Sequence, residues 1–158
     1  MKLIEIGVLV NTHGIKGEVR IISNFEFKEK VFVIGNELYF SENESLTINS
    51  YRKHKNYDMV TFKGINDILE VNKYKGKKVY FDYESLELNE NEYLDSQIIG
   101  LDAYYENKFI GKIDDIEQNR KQKLFVINNI LIPYNENFID KINIKENKIT
   151  LKNLNGLI

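Results

Sequence analysis

The chain has 158 residues, of which 42% are hydrophobic and 12% aromatic, enough apolar material for one packed domain or two small ones. Charged residues make up 29%, yet the formal net charge is only -2, which excludes wholesale disorder and a strongly basic nucleic-acid binder. There is no cysteine, so disulfide frameworks, thiolate metal sites and cysteine nucleophiles are excluded as well. In the first half, short runs predict strands at Leu3 to Val10, Glu18 to Ser23, Glu37 to Phe40, Leu46 to Arg52, Met59 to Phe62 and Val79 to Tyr83. Ile4, Ile6, Val8 and Val10 share one face of a period-two pattern, as do Val19 and Ile21. One short helix is expected among them: Asn66 or Asp67 caps it, Ile68, Leu69, Val71 and Tyr74 give it apolar positions, and Gly76 stops it. Many short strands with a single helix predict a small closed or nearly closed barrel, which leaves no sheet edge exposed.

Residues 85–92, acidic and containing asparagine, break this rhythm and are expected to be a linker between a domain at 1–84 and another at 93–158. Strands resume at Leu101 to Tyr105, Phe109 to Ile116, Leu124 to Ile127, Ile130 to Tyr134, Asp140 to Ile144 and Lys148 to Leu151. The turns between them, Glu106-Asn107-Lys108, Asn128-Asn129 and Lys145-Glu146-Asn147, are rich in residues that tolerate left-handed geometry, so hairpins and a second small barrel are expected. Residues 1–85 carry 13 Lys and Arg against 12 Asp and Glu, and the remainder 9 against 12, which makes the first half the one nearer any RNA. No leader pattern stands at the N-terminus and no apolar run approaches the ~20 residues of a membrane span. The expectation is a cytoplasmic protein with no membrane association.

The chemically loaded segment is Asn11-Thr12-His13-Gly14-Ile15-Lys16-Gly17-Glu18-Val19-Arg20. Gly14 and Gly17 can shape a tight connection, leaving His13, Lys16 and Arg20 to present one imidazole and two cations. Gly-x-x-Gly alone equally suits an ordinary surface hairpin. It lacks the glycine-lysine-threonine ending of a nucleotide loop and precedes a strand, so nucleotide binding is not expected. Catalysis is disfavoured because only Glu18 stands near enough in sequence to orient His13, and no nucleophile-elbow pattern exists. His13 and His54 lack the further ligand that a metal site needs. Tyr51-Arg52-Lys53-His54-Lys55 offers three cations for phosphates and two rings for an unpaired base, or else a solvated strand end.

The run His13-Gly14-Ile15-Lys16-Gly17-Glu18-Val19-Arg20, after a strand carrying Gly7, resembles the opening of the RimM family of bacterial ribosome maturation factors. Tyr51 to Asn56 followed by Met59 to Ile65 resembles that family's basic segment and the strand before its short helix. Glu90-Asn91-Glu92-Tyr93 and Ile98-Ile99-Gly100-Leu101 resemble the start of its second domain, Gly111-Lys112-Ile113 its hairpin, Leu131-Ile132-Pro133-Tyr134 its late strand, and Gly156-Leu157-Ile158 its terminus. The resemblance implies a mainly β protein of two barrels, a translation-factor-like one followed by a PRC-barrel. It implies a non-catalytic factor, without cofactor or metal, that binds the immature 30S subunit and assists its assembly and 16S rRNA processing.

In that reading His13, Gly14, Lys16, Gly17, Arg20, Tyr51, Arg52, Lys53, His54 and Lys55 face RNA or ribosome. Tyr93 and Leu94 meet ribosomal protein nineteen of the small-subunit head, Leu94 standing where the family usually has a second aromatic. Alternatively, these two residues seat the linker on the barrel. Other departures are Gln97 and Asn143 in place of aspartates and the basic turn Asn119-Arg120-Lys121-Gln122-Lys123. That turn is either a local RNA contact or a lysine-rich hairpin tip. A monomer is expected. The alternative function is an enzyme or small-molecule-binding barrel that uses the His13 loop.

Overall fold

A computed structural model describes residues 1–158, which divide into two compact units, Met1–Asn89 and Glu90–Ile158. The first unit is a closed six-stranded barrel. Its strands are β1 (Leu3–His13), β2 (Glu18–Ile22), β3 (Glu37–Ser41), β4 (Glu44–His54), β5 (Tyr57–Phe62) and β6 (Lys78–Asp82), in the order β1-β2-β5-β4-β3-β6. The ring closes where β1 pairs antiparallel with β6, Leu3 opposite Asp82. Leu9, Val19, Ile21, Leu38, Ile48, Met59, Val60 and Val79 are fully buried inside it.

The expected period-two face of β1 does not hold. Ile6 and Leu9 are buried, whereas Val8 and Val10 are only partly so. The cause is a pair of register shifts, between Glu5 and Gly7 against β6 and between Leu9 and Asn11 against β2. Each extra residue moves the following side chains to the other face and lets one long strand bend around both neighbours. Gly7 lies at the bend, where a Cβ would come within 2.5 Å of the Ile22 carbonyl oxygen.

The expected helix after Asp67 is instead two 3-10 turns, Ile68–Glu70 and Asn72–Tyr74. Asp67 caps the first, its Oδ1 accepting the Leu69 N–H at 2.9 Å. The segment is tied to the β1 side at both ends, by Ile68 N–H to the Ile15 carbonyl at 3.0 Å and Gly76 N–H to the Leu9 carbonyl at 2.7 Å. Eight residues rise about 12 Å as an α-helix and about 16 Å as a 3-10 helix. The tighter coil therefore reaches further between its anchors at Ile15, in the β1–β2 loop, and Leu9, on β1. A four-residue helix that the sequence did not announce, α1 (Lys28–Val31), lies between β2 and β3 and buries Val31.

The second unit begins with α2 (Asp95–Ile98), whose first turn is held by the Gln97 side chain accepting the Leu94 N–H at 2.8 Å. It continues with β7 (Asp102–Tyr105), β8 (Lys108–Lys112), β9 (Asp115–Gln118), β10 (Lys123–Ile127), β11 (Ile130–Pro133), β12 (Ile139–Asn143) and β13 (Lys148–Leu151). The expected strand over Phe109 to Ile116 is thus two strands. They belong to different sheets, β12-β13-β7-β8 and β11-β10-β9, that enclose a core of Ile98, Leu101, Ile113, Phe125, Ile132, Ile149 and Leu154. The expected hairpin turns have positive φ at Glu106, Asn107, Asn128, Asn129 and Asn147. One pairing had no hairpin signal: β13 lies parallel to β7, Lys148 opposite Asp102.

Candidate functional site

The order β1-β2-β5-β4 places the loaded segments on one face of the first barrel, with the β1–β2 and β4–β5 hairpin turns at opposite ends of β5. His13 faces Glu18 across the β1–β2 hairpin, Arg20 pairs with Met59, and Arg52 pairs with the same Met59 from the other side of β5. His54 stands opposite Tyr57 on the β4–β5 hairpin. Two elements distant in sequence therefore place the His13 and His54 rings 6.3 Å apart.

Arg20, not Glu18, orients His13. The Arg20 Nη2 lies 2.6 Å from His13 Nδ1. A guanidinium only donates, so Nδ1 accepts and the ring proton sits on Nε2. The Arg20 guanidinium also covers the Tyr57 ring at 5.6 Å, and its Nε is buried without a partner. Glu18 is occupied elsewhere: Arg52 grips it with two parallel bonds, Nε to Oε2 at 2.9 Å and Nη2 to Oε1 at 2.8 Å. That grip draws the Glu18 carboxyl below its ordinary value, against partial desolvation and with help from the charge of Arg52.

The neighbouring basic run is also internally committed. Asp58, wholly buried on β5, accepts from Tyr51 OH at 2.6 Å and Lys28 Nζ at 2.8 Å, with Lys53 Nζ at 3.5 Å. Burial first, then the hydrogen bond to Asp58 and its charge, push the Tyr51 phenol up to about 12. One face of its ring stacks on Phe32 at 5.5 Å. The expected free stacking platform at Tyr51 is thus partly used inside the protein. Lys55 occupies a left-handed turn position with φ of +56° and is exposed. Lys16 is exposed on the β1–β2 loop, where Gly14 (φ +71°) and Gly17 (φ +100°) take the conformations their identity permits. This face of the barrel therefore presents two imidazoles on a frame of paired charges, with the free cations Lys16 and Lys55 on the hairpin turns at its two ends.

In the second unit Tyr93 packs partly against the core and lines a groove of 620 Å³ with Tyr134, Glu90, Glu136, Asp140 and Lys141 among others. Leu94 is 6% exposed, so its side chain belongs to the core rather than to a surface. Seating the chain on the barrel explains Leu94, and the groove leaves Tyr93 as the reachable member of the pair. In the basic turn, Asn119 Oδ1 accepts the N–H groups of Lys121 and Gln122, while Lys123 turns inward to Asp95 at 2.6 Å and covers the Tyr134 ring at 5.0 Å.

Comparison with known proteins decides the family. Residues 4–86 match the RimM N-terminal domain and residues 95–157 match the RimM PRC barrel domain. The chain is similar to the ribosome maturation factor RimM of Exiguobacterium sibiricum, 37% identical with 100% of this chain and 99% of that protein covered. It is 40% identical to the protein of the same name from Ligilactobacillus salivarius, with 99% of each chain covered. The Staphylococcus haemolyticus protein of that name is 38% identical, with 98% of each chain covered. The chain belongs to the RimM family. This sets it with assembly factors and not with enzymes, and it is consistent with His13, whose Nδ1 lone pair is already engaged by Arg20.

The members of this cluster that the sequence did not reveal are Glu18 as the clamp on Arg52, Tyr57 under Arg20, and Asp58 with Lys28. Asp58 alone left a signal, as a carboxylate directly before the strand-forming run Met59 to Phe62. The others become visible only when strand order is known.

Proposed function

We propose that this chain is a cytoplasmic, non-catalytic ribosome maturation factor that binds the immature small subunit and assists 16S rRNA processing. The observation that carries the reading is family membership running in order through both domains, with relatives 37% and 40% identical over essentially the whole chain. In this reading the barrel face bearing His13 and His54, with Lys16 and Lys55 on the turns at its two ends, meets ribosomal RNA or protein, with Gly14 and Gly17 shaping the loop. Arg20, Arg52, Lys53 and Tyr51 hold that surface in shape through their pairs with His13, Glu18 and Asp58. The groove beside Tyr93 receives a basic head protein, ribosomal protein nineteen, because Glu90, Glu136 and Asp140 outnumber Lys141 on its rim. A net charge of -2 suits a factor that leaves once assembly ends, since a strongly cationic chain stays on RNA generally.

Co-sedimentation with purified immature and mature small subunits across a salt series tests the reading. The expected result is selective retention on immature particles, with Lys16→Ala reducing the salt slope by about one and Tyr93→Ala weakening binding about tenfold. Absence of binding to either particle at low salt overturns it.

A further inference from the structure

The two most exposed large apolar side chains of the molecule are Ile15, 77% exposed, and Leu69, 76% exposed. They come from different elements, yet one hydrogen bond joins the two segments, from the N–H of Ile68, the residue before Leu69, to the Ile15 carbonyl at 3.0 Å. Each side is fixed. The Asp67 side chain caps the turn that carries Leu69, accepting its N–H. Gly17 lets the loop lie on the same turn, because a Cβ there would stand 2.9 Å from Ile65 Cγ2 and 3.6 Å from the Asp67 carbonyl oxygen. Hiding either side chain would only need a rotated loop, but the glycine, the cap and the cross-element bond together hold both outward. A preorganised pair loses little conformational freedom on docking.

The charges around the pair choose the class of occupant. Ile15 adjoins Lys16, whereas Leu69 lies between Asp67 and Glu70, all of them exposed. Carboxylates on both sides of Leu69 repel a phosphodiester backbone, and aliphatic side chains offer a base no ring to stack on. A protein partner with an apolar recess rimmed by basic side chains matches the Leu69 end, and a carboxylate beside that recess matches Lys16.

We propose that Ile15 and Leu69 form a two-point apolar anchor, held out by Gly17 and Asp67, that inserts into a basic-rimmed recess of a ribosomal protein on the small subunit. This rests on the reading of the chain as a small-subunit maturation factor, and it assigns to protein a contact beside a barrel face otherwise suited to RNA.

The full-length chain carrying Ile15→Ser, Leu69→Ser or both is compared with the unaltered chain in binding to purified immature small subunits. Because both positions are exposed, melting temperatures should stay within a degree or two. Each single change is expected to weaken binding about tenfold, and the double change more than either, as for loss of an aliphatic anchor at an interface centre. A photoreactive benzophenone side chain at position 15 should cross-link to a ribosomal protein, identified by mass spectrometry. Unchanged affinity in the double variant, or cross-links to RNA alone, overturns the anchor while leaving the maturation reading standing. Failure of the unaltered chain to bind overturns both.

Discussion

Tyr51 is the residue whose chemistry departs furthest from its free form. Its phenol donates to Asp58 and is shielded by Phe32, so the neutral state is favoured by burial and by the adjacent negative charge. Ultraviolet titration of the folded protein should show one tyrosine ionising near 12, above the usual value near 10. Folding raises this pKa, so the stabilisation is fully present below the unfolded value and is lost as pH rises between about 10 and 12. Asp58→Asn removes the charge but not the burial. It should bring the Tyr51 transition only part of the way back, and a transition unmoved by the change would contradict the assigned cause. Arg52 offers a contrast at the same scale: sequence placed it with the RNA-facing cations, and the structure spends both of its forks on Glu18. Nothing in a one-dimensional pattern says that residues 18 and 52 are neighbours.

Among the elements, β1 and its hairpin loop show how glycine identity is set by different constraints. At Gly7 the obstacle is backbone, the Ile22 carbonyl oxygen at 2.5 Å. At Gly17 it is the movable Ile65 methyl at 2.9 Å together with a φ of +100°, and at Gly14 only a φ of +71° in open space. Alanine substitution should therefore cost least at Gly14, about 1 kcal/mol, and about 2–3 kcal/mol at Gly7 and Gly17. Chemical denaturation of the three variants checks that order, and a Gly14 variant as damaged as Gly7 would refute it.

The hairpins of both units were legible in the sequence because asparagine, aspartate and glycine turns announce themselves locally. The bulges of β1 were not, since an added residue alters the periodicity that reveals a strand. The two 3-10 turns after Asp67 read as a helix in the sequence because their apolar spacing is helical, while their coil is fixed by anchors at Ile15 and Leu9.

At the scale of the whole chain, each unit has its own buried core and its own sheets. A chain ending at Asn89 should unfold cooperatively and retain the Tyr51 transition near 12, since Phe32 and Asp58 lie in the same unit. Non-cooperative melting or a tyrosine profile like that of free phenols would count against an autonomous barrel. The acidic stretch before residue 93 made the two-part plan readable, and the ordered series of motifs from His13 to Ile158 made the family readable. The parallel pairing of β7 with β13 was hidden because no turn links those strands.

That pairing bears on the order in which the molecule is made. The ring of the first barrel can close as soon as β6 has left the exit tunnel and met β1, with nothing further downstream required. β7, by contrast, emerges early in its own unit but must wait for β13, the last strand synthesised, before its second edge is covered. Until β13 arrives, the nascent chain carries a first barrel able to close and a second unit in which one edge of β7 is open. During that interval the second unit, not the first, is exposed to mispairing with neighbouring chains.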